Sequence, residues 1–351
     1  MVPWRPLHHV NVIRVAVSAL VSQTDPEPLL DAWSDRDYVV LTSTTTFAHD
    51  IVTRLGARCA MLVMTPAAAT GAFAHPVLTP GLSFGTRGNL ASWIVADRVM
   101  KPWFKEPLRP AARRAWGLPA FALSTDRHGL TWPPFPLLHA YSPQVVPRPR
   151  DWADQLKVTG WLLPELSDEP LPERVEQFLA DGPSPIYIGF GSMPVADPER
   201  VARMLVGALT RTRQRAIVCG AALAQTSALS GCDRALAVQE LPHERLFHRV
   251  AAIVHHGGSG TVGAGLRSGR PNLVTPFVFD QFFWGARVRA LGAGPAPIPF
   301  RRLSEDRLTR ALTDLTSGRY DAAAHRLGER IRAEDSAARA VLEIERAGAA
   351  T

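Results

Sequence analysis

Val254-His255-His256-Gly257-Gly258-Ser259-Gly260-Thr261 joins a short apolar run, Ala251 to Val254, to a helically spaced segment from Thr261 to Arg267. A buried strand, a glycine-rich loop and a helix, in that order, make the first half of a βαβ unit. The same rhythm extends in both directions. Ile186-Tyr187-Ile188-Gly189-Phe190 reads as a buried strand ending in Gly191-Ser192-Met193, and a helix from Pro198 to about Arg211 follows. Val201, Met204, Leu205, Ala208 and Leu209 fall on one face of that helix. Short strands at Ala216 to Cys219 and Ala235 to Val238 come next. Helices at Glu244 to His248, Gln281 to Leu291 and Ser304 to Leu315 complete the series. Short strands alternating with helices predict a parallel, doubly wound α/β sheet from about Pro185 onward.

The first half of the chain is less regular. Tyr38 to Leu41 and Ala60 to Met64 read as strands, Ser43 to Leu55 as a helix closed by Gly56, and Leu137 to Tyr141 as a further strand. Between Pro66 and Pro136 the chain is rich in Pro, Gly and aromatic residues. Pro147-Arg148-Pro149 and the acidic, proline-rich segment from Pro164 to Pro185 bracket a junction. The expected division is an N-terminal Rossmann-like domain at 1–160 and a C-terminal one at 161–351.

Composition narrows the class. The chain has 351 residues, 46% apolar, with 39 basic against 32 acidic side chains and a net charge of +7. That is a globular chain with room for two cores and a charge balance that suits an anionic ligand or a membrane surface. The arginines are scattered, so no nucleic-acid arm is indicated. Three cysteines without CxxC spacing indicate neither a disulfide framework nor a zinc site. Val10 to Val21 is too short to span a bilayer and carries Asn11 and Arg14. The expected location is the cytoplasm, with at most peripheral contact with a membrane.

The chemistry concentrates in loops at strand ends. Gly257, Gly258 and Gly260 allow close approach of the backbone to a ligand. The helix beginning near Thr261 offers unpaired N–H groups and a partial positive charge to a phosphate, worth about 0.3–1 kcal/mol at a surface and up to ~2 when partly buried. His256, Ser259 and Thr261 add side-chain donors. A tight turn needing glycine for packing alone is the alternative. Gly189-Phe190-Gly191-Ser192-Met193 is a second such loop on the same sheet. Ligands of open α/β sheets collect at the C-terminal ends of strands, so two glycine loops there can hold a diphosphate from two sides. Asp280 and Gln281, after the strand Leu273-Val274-Thr275, suit bidentate hydrogen bonding to adjacent sugar hydroxyls. Taken alone, Asp280 reads as a helix N-cap.

HHGGSGTVGAGLRSGRPNLVTPFVFDQFFWGARV (255–288), with PIYIGFGSM (185–193) upstream, resembles the donor domain of the family 1, GT-B-fold glycosyltransferases. The branch it most resembles holds sterol glucosyltransferases and bacterial natural-product glycosyltransferases. The similarity continues through GAGPAPIPFRRLS (292–304), back through Pro149-Arg150-Asp151-Trp152 to Gly160-Trp161, and more weakly into TPAAATGAFAHP around His75.

The resemblance implies two Rossmann-like domains facing each other across a cleft. It implies inverting, metal-independent transfer of a hexose from a UDP- or dTDP-sugar to a hydroxyl of an apolar acceptor such as a sterol, lipid or secondary metabolite. It gives donor-binding roles to Gly191, Ser192, His256, Gly257, Gly258, Ser259, Gly260 and Thr261 at the diphosphate, and to Asp280 and Gln281 at the sugar. His243, in Leu241-Pro242-His243, falls where the base-contacting loop runs. Ala264 stands where plant enzymes of the family carry a ribose-binding glutamate.

The family's catalytic His or Asp follows the first strand of the acceptor domain, a segment with no counterpart here, so the N-terminal domain is expected to be incomplete. His8, His9, His49, Asp50 and His75 do not match that base, and no catalytic residue is assigned. A homologue that binds donor without transferring it is the rival expectation.

Overall fold

The computed structural model describes residues 38–42, 58–100, 124–125, 131–132, 136–164 and 170–349. His8, His9, His49, Asp50, Gly56 and the helix expected at Ser43 to Leu55 lie outside them. The described residues fall into two compact units. The first takes those within Met1–Ala140, Arg148–Thr159 and Ala338–Thr351, and the second takes Tyr141–Pro147 and Gly160–Ala337. Among the described residues, no helix is long and apolar enough to cross a membrane.

In the first unit, β1 (Tyr38–Thr42), β2 (Arg58–Val63), β5 (Leu137–His139) and β6 (Leu156–Val158) form a parallel sheet in the order β1-β2-β5-β6. β3 (Ser124–Thr125) and β4 (Thr131–Trp132) make a separate antiparallel pair. Helix α1 (Gly85–Met100) lies within the stretch whose Pro, Gly and aromatic content concealed it from the sequence reading.

The second unit carries β7 (Ile186–Gly189), β8 (Ala216–Cys219), β9 (Ala235–Val238), β10 (Ala252–His255) and β11 (Asn272–Val274), all parallel. Their order, β9-β8-β7-β10-β11, is the doubly wound 3-2-1-4-5 arrangement. Alternation within β7 sends Ile186 and Ile188 to one face and Tyr187 to the other, and each face has its own core, as a parallel sheet covered on both sides requires. Helix α3 (Pro198–Thr212) covers the first face. Asp197 caps it by accepting from the Arg200 N–H at 2.9 Å, and its stripe of Val201, Leu205, Ala208 and Leu209 is buried. Val175 of α2 (Glu173–Ala180) is fully buried in the second core with Leu246, Phe247 and Val250.

That eight-residue helix falls inside the segment read as a junction. Val175, Phe178 and Leu179 do keep helical spacing, but the acidic, proline-rich surroundings masked it, and Arg249 ties the helix down by donating twice to the Glu176 carboxylate at 2.8 Å. The helices that position the site are α6 (His243–Leu246), α7 (Ser259–Arg267) and α8 (Gln281–Ala290), with α4 (Ala221–Ala224) and α5 (Ser227–Ser230) earlier in the chain. α9 (Glu305–Leu315), α10 (Asp321–Arg332) and α11 (Ser336–Ala349) follow, and α11 leaves the second unit at Ala338.

Candidate functional site

Strand order reverses between β7 and β10, whose chain continuations lie on opposite sides of the pair. In a doubly wound sheet this point opens a crevice at the C-terminal strand ends. The loops that follow these two strands are the two glycine loops. They touch: Gly191 has φ +57°, and a Cβ there would stand 2.8 Å from Cε1 of His256. Gly257 turns the chain from β10 into α7 at φ +94°, where a Cβ would meet Val274 at 2.6 Å and the Gln281 carbonyl oxygen at 3.0 Å. Packing alone therefore demands glycine at 257, as the alternative reading of the loop allowed.

Packing does not account for the helix start. Gly258 occupies the N-cap position of α7 and offers no side-chain cap. Among the described residues, no protein acceptor takes the N–H groups of Gly258, Ser259, Gly260 or Thr261, and the first bonded amide is that of Val262, which donates to the Gly258 carbonyl at 2.9 Å. A helix end with unpaired N–H groups at a crevice has the electrostatics to accept an anion. His256 is half-buried beside it. Burial lowers its pKa from the usual 6.5, Asp280 opposes that shift, and Nδ1 is buried with no partner among the described residues.

His255, the preceding residue, is inert by comparison. It is fully buried, accepts from the Gly257 N–H at 3.1 Å, and is pushed down to about 3 by desolvation. A cavity of about 750 Å³ follows one face of α7, through Gly260, Thr261, Ala264 and Arg267. His243, Phe247 and Leu162 also line it. His243 stacks on Phe247 with ring centroids 4.4 Å apart, and its Nε2 lies 3.0 Å from the Tyr187 hydroxyl.

Four expected donor contacts have partners inside the protein. The Ser259 side chain is buried, and its Oγ accepts from the Trp161 indole N–H at 3.1 Å, so this residue presents backbone rather than hydroxyl to the crevice. Gln281 is also buried. Its Oε1 accepts from the N–H groups of Phe277 at 2.7 Å and Val278 at 3.1 Å, and its Nε2 points to Met193 Sδ at 3.3 Å. Those bonds brace a loop in which Phe279 adopts φ +52°, a conformation a bulky residue resists. Asp280 makes no capping bond, and one of its carboxylate oxygens accepts from the Trp284 indole N–H at 3.0 Å. His243 is engaged with Tyr187, as above. Ser192 is exposed at the tip of the β7 loop, as a ligand-facing side chain must be.

His75 lies in the first unit, and its Nδ1 accepts from the N–H groups of Val77 at 3.2 Å and Leu78 at 3.3 Å. Its ring packs edge-on against Trp93, and burial pushes its pKa down to about 4. It orders a turn. The roles of Trp161 and Trp284 were missed in the sequence, where a tryptophan carries no mark of what its N–H will meet.

Residues 205–346 match the family of the erythromycin biosynthesis protein CIII-like C-terminal domain. Sterol 3-beta-glucosyltransferase UGT80A2 of Arabidopsis thaliana is 39% identical over 216 residues, 61% of this chain and 32% of that protein. Sterol 3-beta-glucosyltransferase UGT80B1 of the same plant is 30% identical over 348 residues, 97% of this chain and 56% of that protein. The chain thus matches 32% and 56% of the length of these two relatives. Among solved structures, the glycotransferase of kitacinnamycin superposes with a TM-score of 0.68 at 19% identity, over 99% of this chain and 84% of that one. Glycosyltransferase VinC, solved with dTDP, gives 0.63 at 20% identity over 99% and 83%. The fold is therefore GT-B, as the sequence motifs implied.

Proposed function

We propose that the chain transfers a hexose from a UDP- or dTDP-sugar to a hydroxyl of an apolar acceptor, with inversion at the anomeric carbon. The observation that carries this reading is the unpaired start of α7 beside His256 at the switch point of the sheet. An attacking hydroxyl displaces the nucleoside diphosphate, and the charge that develops on the leaving oxygens falls where preorganised N–H groups and His256 stabilise it. The nucleoside would extend along α7 into the cavity at Thr261 and His243, and the sugar toward Asp280. Because the helix end and His256 supply the electrostatic stabilisation, turnover is expected without a divalent metal.

The sterol 3-beta-glucosyltransferase relatives favour a sterol or similar polycyclic alcohol as acceptor, reached by peripheral contact with a membrane of the cytoplasm. The test is calorimetry with UDP and dTDP, followed by a transfer assay with UDP-glucose and a panel of sterols, with and without EDTA. Tight nucleotide binding with EDTA-insensitive transfer is the expected result. Binding without transfer to any acceptor would favour the rival reading of a donor-binding homologue. No nucleotide binding would overturn both.

A further inference from the structure

Two buried tryptophans stand behind the site. Trp284 is fully buried, with its ring 5.8 Å from those of both Tyr141 and Trp161. Each indole of the Trp161–Trp284 pair spends its single N–H on a residue of the donor loops. Trp284 donates to Oδ2 of Asp280 at 3.0 Å, and Trp161 donates to Oγ of Ser259 at 3.1 Å. α7 is shaped to admit the second ring, because a Cβ on Gly263 would come within 2.7 Å of the Trp161 indole.

We infer that Trp161 and Trp284 are positioning residues that fix two parts of the donor site, the start of α7 and the carboxylate of Asp280, through one rigid aromatic contact. The physical need is specific. The terminal torsion of an aspartate is broad, so its carboxylate plane is undefined unless a partner sets it. Asp280 lies at the mouth of α8 with no capping bond to set it. An indole N–H on a ring that cannot rotate supplies that constraint before the sugar arrives, which lowers the ordering cost of binding. Trp161 does the equivalent at the first residue of α7, whose amides face the diphosphate. The two tryptophans therefore divide the donor: Trp284 governs the sugar, and Trp161 governs the phosphates that all donors share.

This inference rests on the proposal that Asp280 meets the sugar, and the experiment separates the two. UDP and UDP-glucose affinities are measured by calorimetry for wild type, Trp284→Phe, Trp161→Phe, Asp280→Ala and the Asp280→Ala/Trp284→Phe double variant. dTDP and dTDP-glucose replace them if that nucleotide is the one that binds. Trp284→Phe is expected to weaken UDP-glucose about tenfold, the scale of one hydrogen bond to a charged acceptor, with UDP within twofold of wild type. Trp161→Phe should weaken both ligands alike, and the double variant should bind UDP-glucose no worse than Asp280→Ala alone.

Unchanged UDP-glucose affinity in Trp284→Phe, or additive losses in the double variant, would overturn the positioning role while leaving Asp280 as a sugar contact. If Asp280→Ala leaves the ratio of the two affinities unchanged, the reading of Asp280 fails, and this inference with it. Should Trp284→Phe not fold, Trp284→benzothienylalanine keeps the ring shape without the N–H and must give the same pattern.

Discussion

Two loops leave the C-terminal ends of parallel strands in this chain and meet opposite fates. In the first unit, the loop after β2 is closed by protein. Asp151 accepts from the Thr70 hydroxyl and from the Gly71 N–H, both at 2.7 Å, and Asn89 donates to the Gly71 carbonyl at 2.9 Å. The indole N–H groups of Trp152 and Trp93 take the carbonyls of Ala69 and Phe73. In the second unit, the loop after β10 ends in helix amides that no described protein group takes. A carboxylate sits at the first loop where the second has a crevice. The difference lies in the protein partners: the first loop carries its own acidic acceptor, and the second has none among the described residues.

The largest effect should ignore this contrast. Each unit buries a histidine at the end of a central strand, His139 on β5 and His255 on β10, both fully buried. Desolvation pushes His139 down to about 4 and His255 down to about 3, against an ordinary 6.5. Between those values and 6.5 the unfolded chain binds more protons than the folded one. The stabilisation is complete above about pH 6.5 and is lost as pH falls through the window, up to about 3 kcal/mol for His139 and about 5 kcal/mol for His255. Thermal melts from pH 7.5 to 4 should show both units weakening together. A unit that melts unchanged over that range would show that its histidine is not sealed in.

Asp151→Ala tests the closed loop. It strands Thr70, which is fully buried, together with the Gly71 amide, and should destabilise the first unit by about 2–3 kcal/mol. UDP or dTDP affinity should not move. A comparable loss of nucleotide affinity would mean that Asp151 serves the donor, and the contrast between the loops would fail.

His256→Ala tests the open loop. The folded chain should persist, because His256 is only half-buried, while nucleotide affinity falls by about 1.5–3 kcal/mol. Unchanged affinity in a folded variant would remove the phosphate role.

The smallest effect is a pH dependence. Burial holds His256 below 6.5 in the free chain, and a bound diphosphate raises it, so binding takes up a proton between the two values. UDP-glucose, whose phosphates do not titrate in this range, should bind a few-fold tighter at pH 6 than at pH 7.5. His256→Gln should flatten that slope, and a slope that survives in His256→Gln would belong to another group.

What the sequence determined by itself is local. Strands β7 to β11 and helices α3, α6, α7, α8 and α9 were legible as short periodic or apolar runs bounded by glycine, proline or a polar cap, whereas α4, α5, α10 and α11 were not assigned. The α7 loop was legible as a strand-to-helix turn, because three glycines between an apolar run and a helical period mark one. β6, α1 and α2 were not assigned, since three strand residues carry no period and the Pro- and Gly-rich surroundings of both helices, one of 16 residues and one of 8, masked them.

Tertiary structure alone decided the rest. The 3-2-1-4-5 order, which brings Gly191 against His256, is set by crossovers that no local pattern encodes. It also decided that Ser259 and Gln281 turn inward, that Asp280 meets Trp284, and that His75 spends Nδ1 on a turn. The physical reason is common to all four. A polar side chain can bond to a ligand or to the protein, and its choice depends on which donors and acceptors the packed core places within about 3 Å of it.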